Sequence, residues 1–215
     1  MRTPSDYTKR KAILRGILEG RGYYVALQAM NYAEKLHNGH RKDGSHEFAH
    51  QVNMALHAAC FLPSISEPEE TMTLLFLHDV LEDKDVPFSA IEALFGPKMA
   101  HRTLCMSKIR GEQKLPNEVY YADLAGDPVV SVAKGFDRCH NLSTMRGAFD
   151  NRKQLAYLTE ARDFTLPMIK KAQRNFPHQT PVYEGIKHTI RLLCDLTEHF
   201  IKQIETLDSG ETLAR

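Results

Sequence analysis

The feature that most constrains the fold is an uncharged run, TMTLLFL at residues 71–77, that passes straight into HDVLED at residues 78–83. A segment this apolar belongs in a core, whereas ionisable groups at its end need a partner, a metal or water, because uncompensated burial is costly. Read as one helix from about residue 69, the segment has acidic residues in its first turn, where they suit the macrodipole. Spacings of three and four make His78 or Asp79 a neighbour of Glu82, and Asp79 a neighbour of Asp83. One end of this helix should be buried and the other should border a polar site.

Nearly every other long segment also repeats with helical rather than alternating periodicity, and no internal repeat or Gly/Ser linker interrupts the chain. The expectation is an all-α fold and a single domain over residues 1–215. Helices are predicted at 23–36 and 50–61. A short one at 89–96 has Ser89 as N-cap and Gly96 as its stop, with Pro97 opening the next. Asp127 and Pro128 should cap a helix that buries Val129, Val132, Ala133 and Phe136. The C-terminal third reads as two longer helices, about 151–174 with a kink or break near Pro167 and about 182–207 uninterrupted.

Composition mainly excludes. With 28 basic against 27 acidic residues there is no global attraction to nucleic acid or membrane, so an anion site must come from a local cluster of Lys and Arg. The charged N-terminal stretch offers neither a signal-peptide core nor a membrane span, so a cytoplasmic protein is expected. Four scattered cysteines without a CxxC pair argue against a zinc ribbon, a redox motif or a disulfide framework.

An HD dipeptide arises readily by chance in a chain with eleven histidines, so its company matters more than its presence. His50 opens a predicted helix upstream, and Asp137 lies within DRCHN on a predicted helix downstream. Together with RKDGSHEFAH (41–50), LLFLHDVLED (74–83), Phe95-Gly96 and SVAKGFDRCHNLSTM (131–145), these residues resemble the HD-domain metal-dependent phosphohydrolases, in particular the hydrolase domain of the RelA/SpoT alarmone enzymes. The resemblance covers about residues 23–146, in the family's order and at family-like spacing. It implies an HD-domain helical bundle with a C-terminal helical extension at about 151–207. No synthetase region is expected, as in the small alarmone hydrolases.

The resemblance implies His50, His78, Asp79 and Asp137 as metal ligands. Two imidazoles and two carboxylates form a mixed nitrogen and oxygen set for a borderline or hard divalent ion; one Mn²⁺ is expected, and the lack of thiolates argues against a closed structural zinc site. Glu82, one turn beyond His78, can orient or deprotonate an attacking water, with Asp83 in support; the competing reading for both is solvation of a helix end. Asn141, one turn after Asp137, is implied to contact the nucleotide sugar or the metal shell. Arg41 and Lys42 are implied to bind the nucleotide, and Lys108, Lys134 and Arg138 are candidates for phosphate contact against ordinary ion-pair roles. His40 stands where the family usually has Gln, and His46 where it usually has Pro.

The implied activity is hydrolysis of the 3′-pyrophosphate of (p)ppGpp or a related purine alarmone, a stringent-response reaction on a small nucleotide. An alternative keeps the metal and changes the substrate to a deoxynucleoside monophosphate, a cyclic nucleotide or a pyrophosphorylated RNA end. A catalytically idle module using the basic segment KRKAILR to meet RNA or protein is a third reading. A zinc site from His37, His40, His46 and His50 is conceivable from spacing, but nothing else supplies a closed ligand set. No membrane partner and no obvious nucleic-acid surface are expected, and oligomeric state is left open.

Overall fold

The computed structural model describes residues 4–40, 44–111 and 113–209. Helices α1 (Pro4–Gly20), α2 (Tyr24–Leu36) and α3 (Ala49–Ala59) precede a 3₁₀ turn (Leu62–Ser64), α4 (Pro68–Leu77) and the single turn α5 (Val80–Asp83). Helix α6 (Phe88–Met106) leads to a small hairpin of β1 (Ile109–Arg110) and β2 (Gln113–Lys114), antiparallel with Ile109 opposite Lys114. Then come α7 (Asn117–Leu124), α8 (Pro128–Thr144), α9 (Asn151–Glu160), a π-helical turn (Ala161–Thr165), α10 (Leu166–Asn175), a 3₁₀ turn (Pro177–Gln179) and α11 (Thr180–Ser209). The expected all-α class holds. No described helix is long and apolar enough to cross a membrane.

The apolar run decides the packing. Met72, Leu74, Leu75, Phe76 and Leu77 of α4 are all fully buried, beneath α2, α3 and α8. Each such side chain contributes roughly 1.5–3 kcal/mol through removal from water. Helix α8 packs against α4 on one side and α10 and α11 on the other, and buries Val129, Val132, Ala133 and Phe136 as expected. It meets α11 closely at Gly135, where an added Cβ would lie 2.8 Å from Ile186. Asp127 caps α8 by accepting from the amides of Val129 and Val130 at 2.8 and 3.0 Å. It also accepts from Arg102 Nε at 2.8 Å, and the same buried guanidinium holds Glu67 and Glu70. Arg102 thus ties the starts of α4 and α8, the helices leading to His78 and bearing Asp137, to α6.

Three local expectations change. The segment expected to run as one helix through residue 83 breaks at Asp79, whose φ of −115° and ψ of 1° leave the helical region and start α5. Consecutive helical side chains point about 100° apart; the break lets His78 and Asp79 face one place. The helix expected to start after Ser89 starts at Phe88 behind Pro87, with no side-chain cap. Gly96 does interrupt α6, at φ 82° and ψ 163°, a conformation open only to glycine. The kink expected near Pro167 is realised upstream, where the π turn lets Leu166 N–H donate to Ala161 O.

Candidate metal centre and adjoining cavities

His50 comes from the start of α3, His78 from the end of α4 and Asp137 from the middle of α8. Their ligand atoms lie within 4.8 Å of one another. His50 Nε2 is 3.3 Å from His78 Nε2 and 3.4 Å from Asp137 Oδ1. All three side chains are buried. His78 Nδ1 lies 3.0 Å from Leu75 O, and a carbonyl only accepts, so Nδ1 carries the proton and Nε2 turns a lone pair into the cluster.

Asp79 sits beside this trio. Its Oδ2 is 3.5 Å from His78 Nε2, and both carboxylate oxygens accept from Gln51 Nε2, at 3.3 and 3.1 Å. Its Oδ1 is 3.2 Å from Nε2 of buried His37, whose Nδ1 donates to Ala33 O. Of the four histidines weighed for zinc, only His50 joins the cluster. Burial works against the charged form of Asp79, but the His78, His37 and His50 imidazoles outweigh it and hold the carboxyl below its ordinary range. Asp137 is likewise held well below that range: burial opposes, while Lys134, His50 and His78 prevail.

Two cavities flank the cluster. The smaller, about 180 Å³, is lined by Glu82, Lys108, Lys134, Asp137, Arg138 and Glu160 among others. Lys134 Nζ donates to Asp137 Oδ2 at 2.9 Å, and Lys108 Nζ donates to Glu160 Oε1 at 2.7 Å. Arg138 Nη2 is 3.0 Å from Glu160 Oε2 and donates to Tyr121 Oη at 3.1 Å. Its Nε and Nη1 are buried without a hydrogen-bond partner among the described residues. Buried orphan donors are uncommon, and two on one guanidinium fit an incoming anion. Glu160 is held down to about 2: burial opposes, and Arg138 and Lys108 prevail.

The larger cavity, about 420 Å³, is lined by His37, Gln51, Asp79, Asp83, Met145 and Phe149 among others, and shares Asn141 and Tyr157 with the smaller. Asn141 Nδ2 donates to Asp137 Oδ1 at 2.7 Å, so it faces the cluster as the one-turn spacing predicted. Glu82 lines the smaller cavity, its Oε2 accepting from the Lys108 amide at 3.1 Å. Asp83 is held above its ordinary range by desolvation first and then by the charges of Asp79 and Glu82. Arg41 and Lys42 lie outside the described residues. Within the basic segment of α1, Arg10 donates to Asn53 and Lys11 pairs with Glu34, while Lys9 and Arg15 are exposed.

No family model matches the chain. A Synechocystis protein named a probable guanosine-3′,5′-bis(diphosphate) 3′-pyrophosphohydrolase is 30% identical over 153 residues, 67% of this chain and 20% of that protein. A similarly named protein of Aquifex aeolicus is 28% identical over 150 residues, 67% of this chain and 21% of that protein. The chain thus spans about a fifth of the length of the curated relatives it matches. A solved structure of a metazoan SpoT ortholog, described as hydrolysing ppGpp, superposes with a TM-score of 0.57 at 16% identity, covering 75% of this chain and 93% of that one. Over two thirds of its length the chain is similar to the RelA/SpoT hydrolases, and it shares the fold of the SpoT ortholog.

Sequence reasoning missed Glu160 and Tyr157, both on α9. They follow the stretch that carries the motifs, and nothing in NRKQLAYLTE marks them out before α9 is packed. The C-terminal extension is therefore part of the cavity wall.

Proposed function

We propose that the chain hydrolyses the 3′-pyrophosphate of (p)ppGpp or a related purine alarmone, releasing a nucleoside 5′-diphosphate and pyrophosphate. The observation that carries this reading is the convergence of His50, His78 and Asp137 within 4.8 Å, beside a cavity holding Lys108, Lys134 and Arg138. The donor set fits a cation: ionised Asp137, and His78 with its lone pair turned inward, present acceptor atoms to one shared space. His50, His78, Asp137 and the adjacent Asp79 would hold the ion, and Mn²⁺ suits two imidazoles with two carboxylates. Such an ion supplies Lewis-acid polarisation of a phosphoryl oxygen and acidifies water.

The residues of the chain do the rest. Glu82 orients the water and takes its proton, with Asp83 in support on the neighbouring wall. The new bond joins the water oxygen to the phosphorus carried on O3′, the bond from that phosphorus to O3′ breaks, and O3′ leaves with a proton. Lys108, Lys134 and Arg138 hold the departing pyrophosphate in the smaller cavity, where the two orphan donors of Arg138 add directed contacts. The larger cavity takes the nucleoside, with Asn141 at the sugar and Arg41 and Lys42 at the base and 5′-phosphates. Residues 4–209 act as one domain, since a single core runs from Leu14 to Cys194.

The test is to mix purified protein with ppGpp and Mn²⁺ and resolve the products beside a panel of other nucleotides. Release of pyrophosphate and GDP is expected. Absence of both, with turnover of a deoxynucleoside monophosphate or cyclic nucleotide, would refute the substrate assignment.

A further inference from the structure

Helix α1 reaches the metal centre through three hydrogen bonds whose directions are set by chemistry. Arg10 Nη1 lies 2.9 Å from Asn53 Oδ1, Asn53 Nδ2 lies 3.3 Å from His140 Nε2, and His140 Nδ1 lies 2.8 Å from His50 Nδ1. Asp6 holds Arg10 in place from one turn back, at 2.6 Å. A guanidinium only donates, so the Asn53 atom facing Arg10 must be the carbonyl oxygen and the NH₂ must face His140. His140 Nε2 therefore accepts, the His140 proton sits on Nδ1, and it is donated to His50 Nδ1. Neutral His50 then carries its own proton on Nε2, pointing at His78 Nε2 and Asp137 Oδ1 at 3.3 and 3.4 Å. Both of those atoms can accept, so the arrangement satisfies a cluster without an ion. It is the wrong tautomer for ligation, which needs a lone pair on His50 Nε2.

We infer that Arg10, Asn53 and His140 bias His50 against taking up the ion, and that ligation reverses the direction of the whole chain. This rests on the proposed reading of His50 as a ligand. On reversal the His50 proton moves from Nε2 to Nδ1 and is donated to His140 Nδ1. The His140 proton moves to Nε2, and the Asn53 amide turns its oxygen to His140 and releases Arg10. No proton is gained or lost by the pair of imidazoles. Asn53 and His140 are thus positioning residues, and the docking of α1 is coupled to occupancy of the centre. Partners of this kind commonly change metal affinity about 10–100-fold.

The discriminating variant is Asn53→Asp, whose carboxylate accepts from Arg10 and His140 alike and so fixes the direction that ligation needs. Full-length wild type and variant are compared in two ways: Mn²⁺ titration followed by electron paramagnetic resonance, and ¹⁵N-histidine NMR of the metal-free proteins. The wild type should show His50 protonated on Nε2 and His140 on Nδ1. The variant should show both reversed, with Mn²⁺ bound about tenfold more tightly. Added negative charge alone would also tighten binding, so the tautomers decide: tighter binding with His50 still protonated on Nε2 overturns the inference. So does a metal-free wild type already protonated on His50 Nδ1. A wild type that binds no Mn²⁺ overturns the metal reading and this inference with it, whereas binding with the wrong tautomers overturns this inference alone.

Discussion

The candidate metal centre and the smaller cavity share Asp137 but are balanced in opposite ways. At the centre, two imidazole nitrogens and a carboxylate oxygen crowd within 4.8 Å, so the charge still missing there is positive. In the cavity the cations have partners: Glu160 takes Lys108 and Arg138, and Asp137 takes Lys134. Lys108 and Lys134 also stand 5.4 and 5.6 Å from the ring centre of Tyr120, which limits where they can move. The centre therefore favours a cation, taken up once the proton on His50 Nε2 has moved away, while an anion entering the cavity must compete with Glu160. Under the proposed reading, such a site would hold the 3′-pyrophosphate group while its bond to O3′ breaks and would still release pyrophosphate.

The sharpest way to separate the two halves is to disable one at a time. Asp137→Asn removes the carboxylate from the centre and should lower kcat/KM for ppGpp about a thousandfold, with the ion lost in a metal titration. Arg138→Leu should leave ion binding intact and lower kcat/KM about a hundredfold, because only the anion side is damaged. Loss of the ion in the Arg138 variant would mean that the halves are not separable. Glu160→Gln should act with the opposite sign on binding, tightening inhibition by pyrophosphate about threefold, the scale of a partly exposed ion pair.

Changes to the shared support should affect both halves together. Gly135→Ala places a methyl against Ile186 and should cost about 1–3 kcal/mol, read as a lower Tm, by prising α8 from α11. The smallest expected effect concerns acid. Glu67 is held from its ordinary 4.5 down to about 2, chiefly by its hydrogen bond from Arg102. A carboxyl depressed on folding stabilises the folded state above its unfolded value and loses that contribution as pH falls through the folded one. Tm should therefore drop as pH is lowered from 4.5 towards 2, and Arg102→Met should flatten that part of the profile.

The centre was more legible than the cavity, for a physical reason. A ligand set draws on few residue types, and its words survive in the one-dimensional order: His50 opening a helix, HD closing an apolar run, Asp137 inside DRCHN. The break at Asp79 was hidden because DVLED contains neither proline nor glycine and reads as continuous helix. Glu160 was hidden because a carboxylate on an amphipathic helix looks like a solvated face until α9 is laid beside Lys108 and Arg138. The hairpin of β1 and β2 escaped because KIRGEQK has no alternating apolar pattern; Gly111, at φ 62°, was its only signal. Caps fared unevenly: Asp127 was legible from the proline behind it, whereas Ser89 was not the cap it resembled.

The most direct test of the account is the number of Mn²⁺ ions bound per chain by the wild type and by His78→Ala, measured on the same metal-stripped protein. One ion in the wild type and none in the variant is expected. Equal binding by the two, or none by either, would contradict the claim that side chains distant in sequence converge on a single cation.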